Sequence, residues 1–195
     1  MKIGLYFGSF NPIHHGHLII AAYILNNYEL EQIWFVVSPQ NPLKVKTQLL
    51  DEYRRLNLVN LAIEDFPKMK SSNIEFDLPR PSFTINTLSH LKEKFPQHDF
   101  SLILGQDNLE SFDKWKNYEE ILKSQKLFVY PRYHSKASIF DNHPKVILTK
   151  APMMEISSTF IRDSIKNKKD IRYFLHPKVW EEIEAAGLYR KLKPK

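Results

Sequence analysis

The chain contains no cysteine among its 195 residues, which excludes disulfides and thiolate metal sites and suits a reducing compartment. Long apolar runs are also missing. Runs such as Leu18 to Tyr23 and Ile33 to Val37 fall far short of the roughly 20 residues that cross a bilayer. No membrane span is expected. The opening MKIGLYFGSF lacks the longer apolar run and small-residue cleavage site of a secretory leader, so export is not expected and a cytoplasmic location is. Glycine is scarce, five in all, and neither G-x-G-x-x-G nor a glycine followed by Lys and Ser or Thr occurs. The two common phosphate-loop patterns are thereby excluded. The chain shows no internal repeat and no low-complexity segment.

What remains is 43% hydrophobic, enough to bury one sizeable core but short for two, so residues 1–195 are expected to form a single domain. A formal charge of +6 would attract nucleotides, nucleic acids or acidic membrane surfaces alike. The densest basic clusters, Lys166 to Lys169 and the tail Lys191 to Lys195, read as solvated surface. Aromatic residues do not interleave with a basic run as a stacking groove would require. A basic nucleic-acid-binding module is therefore the non-catalytic alternative, and neither nucleic acid nor membrane is the expected partner.

Apolar β-prone runs alternate with segments of helical period. Strands are predicted at Lys2 to Phe7, Gln32 to Ser38, Asn73 to Leu78, Phe100 to Leu104, Lys126 to Tyr130 and Lys145 to Thr149. Helices are predicted from His17 to Tyr28, from about Leu50 to Asp65 with an apolar stripe of Tyr53, Leu56, Val59 and Ile63, after an N-cap at Ser82, and within Leu109 to Lys123. Two more close the chain: one after Ser157 or Ser158, opening a helical portion from about 157, and one from about Pro177 to Ala186 with Gly187 as its cap. This order predicts an α/β fold, a single Rossmann-like open, mainly parallel sheet with helices on both faces. Ligands of such sheets sit at the carboxyl ends of the strands. Pro131 to Pro144, with Arg132, is a loop.

The first strand-to-helix junction, GSFNPIHHGHL from Gly8 to Leu18, concentrates unusual residues. Gly8 permits close backbone approach, and the following helix directs its unpaired amides to the same place, as a phosphate requires. His14 and His17, three apart with Gly16 between them, can share one side of the first turn. Capping histidines, or a metal site of His14, His15 and His17, are the alternatives. Near the other end, Ser157 and Ser158 suit a helix start, and Arg162 lies one turn inside, where its fork can reach a polyphosphate. A capping serine followed by a surface arginine is the plain alternative there.

The junction resembles the nucleotidyltransferase signature in which H-x-G-H follows the first strand, and Ile156 to Arg162, ISSTFIR, resembles that superfamily's second signature, I-S-S-T-x-I-R. Further segments resemble the bacterial nicotinate mononucleotide adenylyltransferases over nearly the whole chain. PSFTINTL (Pro81 to Leu88) is similar to P-S-Y-T-x-D-T-L, LILGQDNLESFDKW (Leu102 to Trp115) to the G-x-D segment with its tryptophan, and HPKVWEEIEAAGLY (His176 to Tyr189) to the closing helix. The resemblance implies transfer of the adenylyl group of ATP to nicotinate mononucleotide, with Mg²⁺ accompanying the ATP, in NAD synthesis. Alternatives are the amidated mononucleotide or phosphopantetheine as acceptor.

Carried over by position, His14, His17 and Arg162 are the catalytic residues. Gly8, Ser9, Phe10, Gly16, Gly105, Asp107, Ile156, Ser157 and Ser158 would bind ATP, with Asp107 facing the ribose. Lys44, Thr84 and Trp115 would bind nicotinate mononucleotide, Trp115 by stacking on the pyridine ring; no residue is assigned to a metal. The sequence departs from the family where Ser9 and Asn11 replace Thr and Asp, Leu43 replaces the histidine of P-P-H-K, and Asn86 replaces an aspartate. Self-association into a homo-oligomer stays open.

Overall fold

The computed structural model describes residues 1–39 and 49–190. Six strands form one all-parallel sheet: β1 (Lys2–Gly8), β2 (Gln32–Val37), β3 (Met69–Ser72), β4 (Asp99–Gly105), β5 (Leu127–Tyr130) and β6 (Val146–Leu148). Their spatial order is β3-β2-β1-β4-β5-β6, so the connections reverse direction between β1 and β4. That reversal opens a crevice at the carboxyl ends of those two strands. The α/β class expected from sequence is the fold observed.

Helices cover both faces, and strand alternation decides which side chain meets which layer. Tyr6, Ile33, Phe35, Val37, Ile103 and Phe128 point to one side, where they pack with α1 (His15–Asn27), α2 (Glu52–Ile63), α6 (Ser158–Lys166) and α7 (Pro177–Ala185). Ile3, Leu5, Trp34, Val36, Leu102, Leu104 and Val129 point to the other, against α3 (Thr84–Lys94), α4 (Gln106–Glu110) and α5 (Tyr118–Ser124). Because both faces are covered, the central strands are continuous apolar runs rather than alternating ones.

Four local expectations are corrected. The third strand is Met69–Ser72, not Asn73 to Leu78: its polar Lys70, Ser71 and Ser72 sit on an edge strand, while Ile74 and Phe76 are buried from a turn. The buried face of α2 is Arg55, Leu58, Val59, Ala62 and Ile63, and Tyr53 is 61% exposed. The stripe is rotated because an arginine, which reads as polar, turns inward. Phe83, not Ser82, is the N-cap of α3; the Ser82 hydroxyl donates to the carboxylate of Glu75 at 3.0 Å instead. The stretch from 109 to 123 is broken into α4, a 3₁₀ turn (Phe112–Lys114) and α5, with Asn117 in the left-handed region at φ 53°.

Helix α7 ends as its sequence predicts. Gly187 lies at φ +61°, the Gly187 N–H donates to the Glu184 carbonyl, and the Leu188 N–H donates to the Ile183 carbonyl at 2.9 Å. This double closure satisfies the last carbonyls of the helix. A Cβ at Gly187 would meet nothing within 4 Å, so Gly187→Ala carries a backbone cost alone. Chemical denaturation of that variant is expected to show a loss of about 1 kcal/mol, the usual penalty for an L-residue in the left-handed region.

Candidate active site

Gly8 ends β1, and the chain leaves the sheet through Ser9, Phe10 and Asn11 before α1 starts at His15. Phe10 adopts φ 44°, which costs a non-glycine residue about 1–2 kcal/mol. Aromatic packing holds it there. The Phe10 ring meets Tyr6, Phe35 and His17 edge-on, at centroid distances of 5.8, 5.5 and 5.1 Å.

His14 is the N-cap of α1 and His17 its third residue, and their rings stack at 3.7 Å. The His14 N–H donates to Nδ1 of His17 at 3.3 Å. With Nδ1 accepting, the neutral His17 ring carries its proton on Nε2, which is left as the donor. Gly16 makes room for the pair: a Cβ there would lie 3.0 Å from Nδ1 of His14. His14 is 4% exposed, and burial, followed by the charges of Arg132 and His15, pushes its pKa down to about 3. It is therefore a neutral imidazole at pH 7. His15 is oriented differently, making its hydrogen bond to the backbone of Leu175. Among the described residues, no group of three or more His, Asp or Glu side chains is placed to hold a metal ion.

The second motif meets the first. Ser157 caps α6, accepting from the Phe160 N–H at 3.1 Å, and Ile156 packs against the first core layer with its Cβ 3.6 Å from the position a Gly16 Cβ would take. Ser158 Oγ donates to the Pro12 carbonyl at 2.9 Å, and Arg162 Nη1 donates to the Asn11 carbonyl at 2.8 Å. Nη2 of Arg162 reaches Thr159 Oγ1 at 3.3 Å. Residues about 150 positions apart are thus joined at one junction.

Gly105 ends β4 beside the same crevice. The Asp107 carboxylate folds back over Gly105, so a Cβ there would have to push that half-exposed carboxylate aside. Arg132, from the loop after β5, approaches Asp107 at 3.8 Å and lies over the Tyr130 ring at 5.1 Å. Arg132 was identified in the sequence only as part of an aperiodic loop. Its position beside His14 and Asp107 depends on where β5 ends, and spacing alone does not reveal that.

A cavity of about 180 Å³ opens on the other side of Gly8. Thr84, the first residue of α3, and Trp115, just after the 3₁₀ turn, both line it, together with Ser38, Glu75 and Lys116. Trp115 also packs against Phe112 at 5.1 Å, so it is both core anchor and cavity wall. Glu75 is 2% exposed and accepts from Ser82 and Thr87 hydroxyls, at 3.0 and 2.7 Å. It fixes the start of α3, and sequence reading missed it because it interrupts an apolar run. Lys44 lies outside the described residues.

An open parallel sheet whose first junction bears H-x-G-H, closed by a serine-capped helix with an arginine one turn in, defines a nucleotidyltransferase; the family model described as cytidylyltransferase-like matches residues 5–164. A protein of Flavobacterium psychrophilum named "Probable nicotinate-nucleotide adenylyltransferase" is 58% identical over 193 residues, 98% of this chain and 100% of that one. One of Bacteroides thetaiotaomicron with the same name is 49% identical over 183 residues, 94% of this chain and 91% of that one. Among solved structures, Plasmodium falciparum nicotinic acid mononucleotide adenylyltransferase complexed with NaAD superimposes with a TM-score of 0.81 at 25% identity, covering 96% of this chain and 97% of that chain. The chain belongs to the nicotinate-nucleotide adenylyltransferase family.

The depressed pKa of His14 makes stability depend on pH. An unfolded chain takes up this proton near pH 6.5, whereas the folded protein refuses it until about 3, so acid favours unfolding across that window. Wild-type stability is expected to fall with a contribution from this group approaching about 1.4 kcal/mol per pH unit between those limits. His14→Asn should lack that contribution. Urea unfolding of both proteins from pH 7 to pH 4 measures it, and parallel curves would refute the assignment.

Proposed function

We propose that this chain joins ATP and nicotinate mononucleotide to give nicotinate adenine dinucleotide and pyrophosphate, in NAD synthesis in the cytoplasm. The observation that carries this reading is the meeting of two subsites at Gly8: an amide- and histidine-lined junction suited to a triphosphate, and a cavity walled by Trp115 and Thr84 suited to a planar ring. The relatives' names and the NaAD complex of the structural neighbour support the choice of acceptor.

In this reaction a phosphate oxygen of the mononucleotide attacks the α-phosphorus of ATP, and the bond from that phosphorus to the bridging oxygen of pyrophosphate breaks. The attacking oxygen is already anionic at neutral pH, so no side chain need remove a proton. Catalysis reduces to alignment and stabilisation of charge. In our reading Nε2–H of His17 and the neutral ring of His14 donate to phosphate oxygens, and Arg162 neutralises the departing pyrophosphate. Gly8, Ser9, Phe10 and Gly16 leave backbone free to approach the phosphates, while Ile156, Ser157 and Ser158 hold the second motif beside them. Gly105 and Asp107 would meet the adenosine, the carboxylate accepting from ribose hydroxyls.

Trp115 would stack on the pyridine ring, and Thr84 at the start of α3 would hold its carboxylate, with Lys44 contacting phosphate. The side chains around the junction are cations and neutral rings with one exposed carboxylate, which is no cage for a resident ion. Mg²⁺ would therefore arrive on the triphosphate, where it neutralises phosphate charge.

Pyrophosphate release from ATP and Mg²⁺ with nicotinate mononucleotide, its amide, or phosphopantetheine tests the proposal. The acid is expected to be the preferred acceptor, and silence with all three would refute an adenylyltransferase. His17→Ala should lower turnover by about 100-fold or more while ATP affinity changes little, since its partner is charge that develops in the transition state. Trp115→Ala should instead raise KM for the mononucleotide by about 10-fold and leave that for ATP unchanged, as loss of a stacking contact worth roughly 1 kcal/mol or more implies.

A further inference from the structure

One buried cation takes no part in the chemistry described above, yet it touches each loop that frames it. Arg55 on α2 is 0% exposed. Its Nη1 donates to the carbonyls of Ser9 at 2.6 Å and Ser38 at 2.8 Å, its Nη2 to that of Pro39 at 3.4 Å, and its Nε to that of Leu50 at 2.8 Å. All of these acceptors are neutral main-chain groups. Burying a charge against neutral partners is costly, and an apolar residue of similar volume would serve the core better. No apolar residue could gather four carbonyls from three separate stretches of chain.

The bond to Ser9 has a directional consequence. In a trans peptide the carbonyl and the following N–H point to opposite sides. Holding the Ser9 carbonyl against Arg55 therefore turns the Phe10 N–H away from the guanidinium, in the loop that leads from Gly8 to His14. The same guanidinium fixes Ser38, which lines the ring cavity, and Pro39 and Leu50, which flank the connection between β2 and α2. Guanidinium geometry is required for this: a lysine in its place keeps the charge but loses the planar fork.

We propose that Arg55 is a positioning residue for adenylyl transfer, which sets the Ser9–Phe10 peptide so that the Phe10 amide donates to the triphosphate while Ser38 is held beside the acceptor cavity. This rests on the adenylyltransferase reading. Arg55 touches no substrate in this account and acts through the backbone it orients.

The test compares wild type with Arg55→Lys, Arg55→Met and Leu58→Ala, a buried apolar neighbour on α2 that has no polar side-chain atom to hold a loop carbonyl. Steady-state turnover, KM for both substrates and thermal midpoints are measured at a temperature where each variant is folded. Both Arg55 variants are expected to lose about 100-fold in kcat, the scale of a small misplacement of reacting groups, while Leu58→Ala loses midpoint but keeps its kcat. An Arg55→Lys enzyme within threefold of wild type would overturn the proposal, as would kcat losses that follow the midpoint equally in Leu58→Ala. Where the Arg55 variants do not fold, wild type still decides: addition of a non-hydrolysable ATP analogue should shift the Phe10 amide in an ¹⁵N spectrum far more than the remote Ile183 amide. Equal shifts would overturn it. A wild type that releases no pyrophosphate refutes the adenylyltransferase reading itself, a result distinct from an active wild type matched by Arg55→Lys.

Discussion

Everything at the first junction depends on where the carbonyls of residues 9, 11 and 12 are sent. This stretch belongs to neither strand nor helix, so its backbone polar groups find no partners in regular structure, and buried groups left unpaired would be costly. Three side chains answer for them. Arg55 from α2 takes Ser9, Arg162 from α6 takes Asn11, and Ser158 at the start of α6 takes Pro12. With the Ser9 and Pro12 carbonyls turned into the protein, the Phe10 and Ile13 amides across those peptides point the other way, while the peptide after Asn11 offers no N–H because proline follows, and amides beside a helix start are a setting for an anion. The phosphate-binding role proposed for the loop is thus a by-product of how its carbonyls are satisfied.

The same contacts order the chain in a particular way. The α6 partners follow β6, the last strand added to the sheet, and they reach back across 146 and 151 residues to Pro12 and Asn11. Contacts of such separation carry a large closure entropy, which the intervening strands of the sheet help to offset. Asn11 illustrates what this closure demands. Its carbonyl receives Arg162, its side-chain oxygen receives the Leu50 N–H at 3.3 Å, and it is 5% exposed. An amide meets that N–H without bringing a negative charge into a buried position, which is a physical reason for asparagine here.

Legibility from sequence followed the degree to which a residue's role is local. Strands β1, β2, β4 and β5 were readable because double-sided burial leaves unbroken apolar runs. The Gly187 cap was readable, and the start of α6 was narrowed to Ser157 or Ser158, because each acts within one turn. Edge strand β3 was misplaced because its composition is polar, and the α2 face was rotated because Arg55 defies the rule that charge faces water. Glu75 was invisible for the same reason. The residues of the two motifs could be named through resemblance, but their contact at Pro12 and Asn11 is a property of the sheet order, which no local pattern encodes.

The electrostatic state of the site completes the picture. His14 is buried and neutral, so it adds a donor without adding fixed charge, and the cations Arg162 and Arg132 stand around it. In the proposed reaction a charged imidazole at this position would bind the ground-state triphosphate tightly, and tight binding of the ground state does not by itself raise turnover. Neutral donors gain most where charge grows during transfer, in a site that its own packing keeps free of reorganisation. Burial of His14 beneath Gly16 and the first turn of α1 is therefore more than a packing detail: the desolvation that costs stability in acid is what keeps the ring in the protonation state suited to the proposed chemistry.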